Sequence, residues 1–247
     1  MTVSIAVVCE APADQRTSCE LADRVLCAQI DWIEPETLDA FRCWRGADSN
    51  SPYLLWRDVA RKARASGFRV SGHFNGQPGE LDAKATRRAL LLLQSEGRPL
   101  DAVILLRDDD GKTQRRNGMR QAIDESIFKD VVVVGLAHSM RECWVLAGFS
   151  PGDPREENVL KRLKTELGFD PVTGADRLTQ SHPSDPRSPK RALSVLTDGD
   201  HDRQAECWQQ TDLAVLSARG EGIGLADYLR EVRRVLVPLL RPGPAPA

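Results

Sequence analysis

Residues 101–111 read DAVILLRDDDG, and this stretch decides the fold class. Its first part is a short apolar run rich in branched side chains, which is typical of a strand buried on both faces of a parallel sheet. Three adjacent aspartates follow the run, and Gly111 then lets the chain turn sharply. The stretch therefore predicts a buried strand that ends at an acidic loop.

Two other runs have the same character, at residues 3–9 and 131–136, and a weaker strand is predicted over residues 68–74. The intervening segments show helical spacing of apolar residues, so strands and helices alternate along this part of the chain. Such alternation predicts an α/β fold with a parallel sheet of about four strands flanked by helices.

The character of the chain changes after Pro151. Helices are predicted over residues 155–167, 203–209 and 225–240, around the proline-rich stretch SHPSDPRSP. We therefore expect an α/β domain over residues 1–150 and a helical annex packed on it over residues 151–241. The tail at residues 242–247, which reads RPGPAPA from Arg241 onward, is predicted to be disordered.

Composition narrows the class of protein. The net charge is −2, with 34 basic and 36 acidic residues, so no global field points to a polyanion or a membrane. The six cysteines show no CxxC or metal-ligand spacing and are expected to be reduced thiols. The chain shows no basic leader and no long apolar segment. We expect a cytoplasmic protein without a membrane span.

Acidic side chains follow three of the predicted strands. Glu10 follows the first, residues 108–110 follow the third, and Glu142 lies beyond the fourth. The carboxyl ends of parallel strands converge on one crevice, where open α/β proteins place their ligands. Carboxylates gathered there repel each other unless a cation lies between them, and Mg²⁺ or Mn²⁺ prefers such oxygen ligands. The pattern predicts a metal site suited to phosphodiester chemistry.

Two interpretations of the aspartate run stay open from spacing alone. In an extended segment, Asp108 and Asp110 point to one side and Asp109 to the other, which favours Asp108 and Asp110 as paired ligands. The alternative is a solvated acidic loop that caps the helix predicted from Lys112, because aspartate is favoured at turns and helix starts.

Three short motifs together resemble the Toprim fold. They are VVCEAPAD at residues 7–14, VILLRDDDG at residues 103–111 and SMRECW at residues 139–144. The resemblance covers residues 3 to about 149 and is nearest to the Toprim-like nucleases of the overcoming-lysogenization-defect group and their small relatives encoded beside ATPases in bacterial defence loci. Many of these relatives carry glycine directly after the first glutamate, where this chain has Ala11 and Pro12.

The resemblance implies a set of site residues. Glu10 would act as general base or metal ligand, Asp108 and Asp110 as metal ligands, and Glu142 as a group at a second metal or in support of one. Asp14 matches the acidic position that opens the first helix in those relatives and joins the predicted ligands. Mg²⁺ or Mn²⁺ is the implied cofactor.

Two further residues complete the candidates. Lys190, in SPKRAL, could enter the crevice from the annex and stabilise charge in the transition state, or it is an ordinary charge at a helix start. His138 follows the fourth predicted strand and is either an acid near the metal or a loop histidine satisfied by local partners.

The resulting expectation is a divalent-metal-dependent phosphodiesterase or nuclease, acting as the effector subunit of an ATPase-linked bacterial defence system. Its expected partners are nucleic acid and an ATPase, with a second copy of the chain as a further candidate and no membrane. The alternative is a non-catalytic, Toprim-shaped subunit that docks on an ATPase. Metal-dependent cleavage that is lost in Asp108→Ala would favour the nuclease, and a thermal melt that metals leave unchanged would favour the binding subunit.

Overall fold

The fold is α/β, as the sequence predicts. The computed structural model describes residues 2–48, 51–95, 97, 99–112 and 114–241. A mostly parallel central sheet of five strands is flanked by helices, which fits a Toprim-like arrangement and has one strand more than the predicted four. The predicted disordered tail at residues 242–247 lies outside the described residues. No helix in the described part of the chain is long and apolar enough to cross a membrane.

The described residues contain seven short strands: β1 (Val3–Cys9), β2 (Arg42–Arg45), β3 (Leu54–Leu55), β4 (His73–Phe74), β5 (Gln77–Pro78), β6 (Ala102–Asp108) and β7 (Val132–Ala137). The main sheet has the order β2-β1-β6-β7, and β3 also pairs with β1. Strands β2 and β3 are both parallel to β1 and pair with its first and last parts, so together they form one edge. Strands β4 and β5 form a separate antiparallel hairpin.

The described helices are α1 (Pro12–Gln29), α2 (Trp56–Ala65), α3 (Ala83–Ser95), α4 (Gln114–Asp124), α5 (Arg141–Ala147), α6 (Pro154–Leu167), α7 (Pro189–Thr197), α8 (His201–Gln209), α9 (Leu213–Arg219) and α10 (Leu225–Leu240). Two short 3₁₀ helices cover Pro35–Ala40 and Ala175–Arg177. Proline at the first position opens α1, α6 and α7, where its missing N–H costs no helical hydrogen bond.

The chain divides into two compact units. Unit 1 comprises Met1–Leu106, Lys112–Gly135 and Arg230–Ala247, and unit 2 comprises Arg107–Gly111 and Leu136–Leu229. The sequence predicted a division near residue 150, whereas these units part within strands β6 and β7. The reason is that α5 packs against α7 and α8, so α5 and the loops before it belong with the helices that follow.

Unit 1 is built on the first strand. The side chains from Ile5 to Cys9 are fully buried, and α1 packs against them. Trp56 opens α2 and donates its Nε1 proton to the carbonyl oxygen of Leu106 at 2.6 Å, which fixes α2 to the end of β6. Helices α2, α3 and α4 then pack in sequence. This unit positions the segment that follows β1.

One expectation in unit 1 is wrong. The strand predicted over residues 68–74 is reduced to the two residues of β4, which pair in the hairpin and not in the main sheet. The strand that follows β1 in the chain and pairs with it in the main sheet is β2, and it was not predicted. Helix α2 begins only at Trp56, because Leu54 and Leu55 pair with β1 before the chain turns.

Unit 2 is packed around α5, whose last five residues are buried. The Trp144 ring stacks on the Tyr228 ring with centroids 5.1 Å apart. Trp144 also donates its Nε1 proton to the carbonyl oxygen of Ile223 at 2.8 Å. Helix α9 was not predicted from the sequence, and α7 was considered only as a possible helix start in SPKRAL. The packing holds α5 and the loop before it against the start of α10.

Candidate functional site

The ends of strands β6 and β7 carry the acidic run and His138 within unit 2. The backbone N–H of Asp109 donates to the carbonyl oxygen of Ala137 at 2.8 Å, and that of Asp110 donates to Ser139 at 3.3 Å. The ladder between the two strands thus continues into the loops that follow them. The two loops are held side by side at the carboxyl edge of the sheet, where α/β proteins place ligands.

A buried carboxylate contacts an imidazole at this edge. Asp109 Oδ2 lies 2.7 Å from His138 Nδ1, and Asp109 is only 6% exposed. Its other oxygen, Oδ1, accepts the backbone N–H of Gly111 at 2.8 Å. Because an ionised carboxylate only accepts hydrogen bonds, this contact places a proton on Nδ1, and in the neutral ring Nε2 then keeps its lone pair. His138 is thereby prepared as a base or as a ligand through Nε2.

The backbone of His138 is fixed from the opposite side. Its N–H donates to the carbonyl oxygen of Ile223 at 3.0 Å, the same oxygen that accepts from Trp144. Gly224 has φ of +82°, and a Cβ built there would lie 1.9 Å from the Leu136 carbonyl oxygen. Only glycine therefore permits this close approach of the segment to the end of β7.

The side chain of Asp108 caps the start of α5. Its Oδ1 accepts the backbone N–H of Arg141 at 2.9 Å. The N-cap residue of that helix is Met140, which has no side-chain acceptor, so Asp108 supplies the acceptor from the neighbouring strand. Arg141 Nη2 lies 3.4 Å from Glu142 Oε1, and both side chains are mostly buried. The structure thus brings Asp108 and Glu142 to the same short helix.

The conformation expected for the aspartate run is wrong beyond Asp108. Strand β6 ends at that residue, and Asp110 is exposed with φ of +48°, in the left-handed region. The alternation that would place Asp108 and Asp110 on one side therefore does not apply. The inward side chain is that of Asp109, because its side chain closes a turn with Gly111.

The other predicted ligands lie in unit 1. Glu10 follows β1, and Asp14 lies in the first turn of α1. Asp14 Oδ2 accepts the backbone N–H of Ala11 at 2.8 Å and that of Glu10 at 3.2 Å. Because Ala11 at the N-cap offers no side-chain acceptor, Asp14 stabilises the turn from strand to helix. Glu10 and Asp14 are thus brought together in unit 1.

Lys190 is exposed at the second residue of α7, in unit 2. The next residue, Arg191, donates from Nη2 to Glu166 Oε1 at 2.7 Å. The predicted catalytic role of Lys190 stays a prediction.

The residues do not form a ready-made centre for the expected Mg²⁺ or Mn²⁺. Among the described residues, no three His, Cys, Asp or Glu side chains form a group that could hold a metal ion. One oxygen each of Asp108 and Asp14 is also engaged by backbone N–H groups. The placed side chains therefore do not fit a preassembled metal site, and the metal remains a prediction of the sequence.

The contact between Asp109 and His138 was not predicted from the sequence. The local signal was available, because an aspartate two residues before a glycine favours a turn that its side chain closes. The long-range signal was not, because the contact depends on β6 and β7 being neighbours. No protein-family model, curated protein or solved structure matches this chain. What the site can do chemically therefore follows from its geometry.

Proposed function

We propose that this chain hydrolyses phosphodiester bonds of nucleic acid, with His138 as general base and Asp109 as the residue that positions it. The observation that carries the proposal is the 2.7 Å contact between Asp109 Oδ2 and His138 Nδ1. It lies at the carboxyl edge of the sheet, and the His138 side chain is 32% exposed, so a water and a substrate can reach it.

The proposed reaction needs one proton acceptor. His138 Nε2 takes a proton from a water molecule as its oxygen bonds to the phosphorus atom, and the bond from phosphorus to the leaving oxygen then breaks. The leaving oxygen takes a proton from solvent on the opposite side of the phosphorus, and the imidazolium later loses its proton to solvent, which restores the base. Asp109 keeps the ring in the required tautomer and stabilises its positive charge, as a carboxylate does beside a catalytic histidine in general.

The choice of substrate rests on the sequence. The resemblance to Toprim-like nucleases supports nucleic acid as substrate, an ATPase as partner and a role as effector in bacterial defence, and it supports a cytoplasmic site of action. A requirement for Mg²⁺ or Mn²⁺, with Glu10, Asp108 or Glu142 among its ligands, belongs to the same proposal. These parts are tested together with the base.

The test is cleavage of labelled DNA and RNA by the purified chain, alone and with the product of a neighbouring ATPase gene. We expect His138→Gln to lower the rate by roughly 10²-fold or more, the usual contribution of a general base. The matched control is His182→Gln, because His182 is an exposed histidine of the same unit whose ring Nδ1 lies 2.7 Å from Ser184 Oγ and not from a carboxylate oxygen. Cleavage by His138→Gln at the rate of the control would contradict the proposal.

The same assay measures whether cleavage depends on a metal ion. Cleavage is measured in Mg²⁺, in Mn²⁺ and with a chelator, in wild type and in Asp108→Ala. Loss of the Asp108 acceptor at α5 is expected to cost about 1 kcal/mol in stability, as for other helix caps. A folded Asp108→Ala chain that loses all metal-dependent cleavage supports a ligand role, whereas full activity assigns Asp108 to the fold alone.

A second candidate is the non-catalytic subunit that docks on an ATPase. It is favoured by the engagement of Asp108 and Asp14 with backbone N–H groups, which is a structural use of two predicted ligands. In that case no nucleic acid is cleaved under any metal condition, and the chain still binds the ATPase. The cleavage assay therefore separates the two candidates.

A further inference from the structure

We propose that the amino end of helix α7 is a binding site for a phosphate group, formed by Ser188, the first-turn N–H groups of α7 and Arg191. The helix has nine residues and begins at Pro189. The N–H groups at the start of a helix point outward and favour an anion, since the helix dipole is positive there. Three independent features of this helix point to such a ligand.

The first feature is an unpaired hydroxyl. Ser188 is the N-cap residue and is fully buried, yet its Oγ has no hydrogen-bond partner among the described residues. It also does not accept from the first turn, as an N-cap serine usually does. A buried hydroxyl without a partner costs free energy, so a ligand oxygen that accepts from it would remove that cost.

The second feature is the sign of the charges. Lys190 and Arg191 lie in the first turn of α7, and this turn contains no acidic residue. Cations at the start of a helix are opposed by the dipole and are stabilising at its end. By contrast, Glu156 and Glu157 occupy the first turn of α6. The first turn of α7 therefore carries positive charge that the helix dipole opposes, and Glu166 balances only the part on Arg191.

The third feature is the guanidinium of Arg191. Its Nη2 donates to Glu166 Oε1 at 2.7 Å, while its Nη1 is buried and unpaired among the described residues. Glu166 satisfies part of the charge and fixes the orientation of the group. The unpaired nitrogen suits a second acceptor, and a phosphate offers several oxygens in the geometry that arginine prefers.

The position of this helix start relates it to His138. Ser139 Oγ donates to the Leu178 carbonyl oxygen at 3.0 Å, and the Gln180 N–H donates to the Arg187 carbonyl oxygen at 3.2 Å. These two bonds join the loop that carries His138 to the loop that carries Ser188, and α7 packs against α5. In the proposed complex, the site would hold one phosphate of the nucleic-acid strand that His138 cleaves.

The substrate role rests on the proposed function, whereas phosphate binding itself does not. The experiment measures binding to the full chain by calorimetry with two probes, inorganic phosphate and a single-stranded oligonucleotide. We expect Arg191→Gln to weaken the binding of both by about 10-fold and Ser188→Ala by roughly 3-fold or more, since both remove a donor to a charged group. Phosphate should also displace the oligonucleotide.

Two matched controls isolate the site. Glu166→Gln breaks the same ion pair as Arg191→Gln but leaves the cation, so phosphate binding should stay equal or become tighter. Ser194→Ala removes an exposed serine from the same helix and should change nothing. Ser188→Ala removes only a buried, unpaired hydroxyl, so it is expected to fold even where Arg191→Gln does not.

Binding unchanged in both Arg191→Gln and Ser188→Ala overturns the site, as does an equal loss in Glu166→Gln and Arg191→Gln. Binding of free phosphate without the oligonucleotide keeps the anion site and rejects a nucleic-acid strand as its source. Phosphate binding by a chain that cleaves nothing keeps this site and refutes the proposed hydrolase. Cleavage that depends on His138, with phosphate affinity insensitive to Arg191, refutes this site alone.

Discussion

Gly224 offers a sharp test of how the His138 loop is held. In Gly224→Ala the new Cβ would lie 1.9 Å from the Leu136 carbonyl oxygen, a distance that no packed carbon tolerates, and the residue has φ of +82°. The left-handed backbone alone costs roughly 1–2 kcal/mol for a residue with a Cβ. The clash must then be relieved by moving the backbone at Ile223, whose carbonyl oxygen accepts from His138 N and Trp144 Nε1.

Loss of those two hydrogen bonds costs roughly 1 kcal/mol each, so the whole change is expected to destabilise the protein by about 3 kcal/mol. For a chain of this length that corresponds to a fall in melting temperature of roughly 6–12 °C. The matched control is Gly222→Ala, which has φ of +75° but no atom nearer than Asp176 Cβ at 3.8 Å. Both variants are measured by calorimetry. Equal falls in melting temperature in the two variants would refute the close packing of Gly224 on Leu136.

Three further predictions concern stability and reactivity. Trp56→Phe removes the indole N–H that donates to the Leu106 carbonyl oxygen, and it should cost about 1–2 kcal/mol in urea unfolding. Burial raises the pKa of several thiols, so at pH 8 a thiol reagent followed by peptide mass mapping should label the exposed Cys43 first. The protected thiols, whose pKa burial raises to about 12, are those of Cys9, Cys143 and Cys207. The hydrogen bond from Arg203 lowers the pKa of Glu156. The ion pair therefore stabilises the protein at neutral pH, and this stabilisation is lost as the pH falls through the lowered pKa. The loss of stability in Glu156→Gln, measured by urea unfolding, should be smaller at pH 4 than at pH 7.

Much of the fold could be predicted, because a strand that is buried on both faces is a continuous apolar run in the sequence. Strands β1, β6 and β7 are continuous apolar runs, and their predicted bounds are close to the observed ones. Helix α10 also has its predicted bounds, since one apolar face repeats along it. Strand β2 reads RCWR and lies at an edge, so it shows neither a run nor clear alternation, and pairing with β1 alone makes it a strand.

The location of the aspartate run could also be predicted, because it depends only on where β6 ends. Which aspartate turns inward could not, since the answer depends on the conformation of Gly111 and on the neighbouring loop. Asp109 is selected by two contacts, one local with Gly111 and one long-range with His138. The period-two alternation of a strand had favoured the opposite choice, and it fails here because the strand ends at Asp108.

Repulsion among neighbouring carboxylates predicts a cation between them when the sequence alone is considered. In unit 2 that repulsion is relieved by donors from the chain itself, which differ for each side chain. Asp108 accepts from the Arg141 N–H, and Asp109 accepts from the Gly111 N–H and from His138. Hydrogen bonds of this kind stabilise the ionised form just as a cation would. A divalent ion that binds Asp109 must therefore compete with these donors, and its binding would release the Gly111 N–H or the His138 ring.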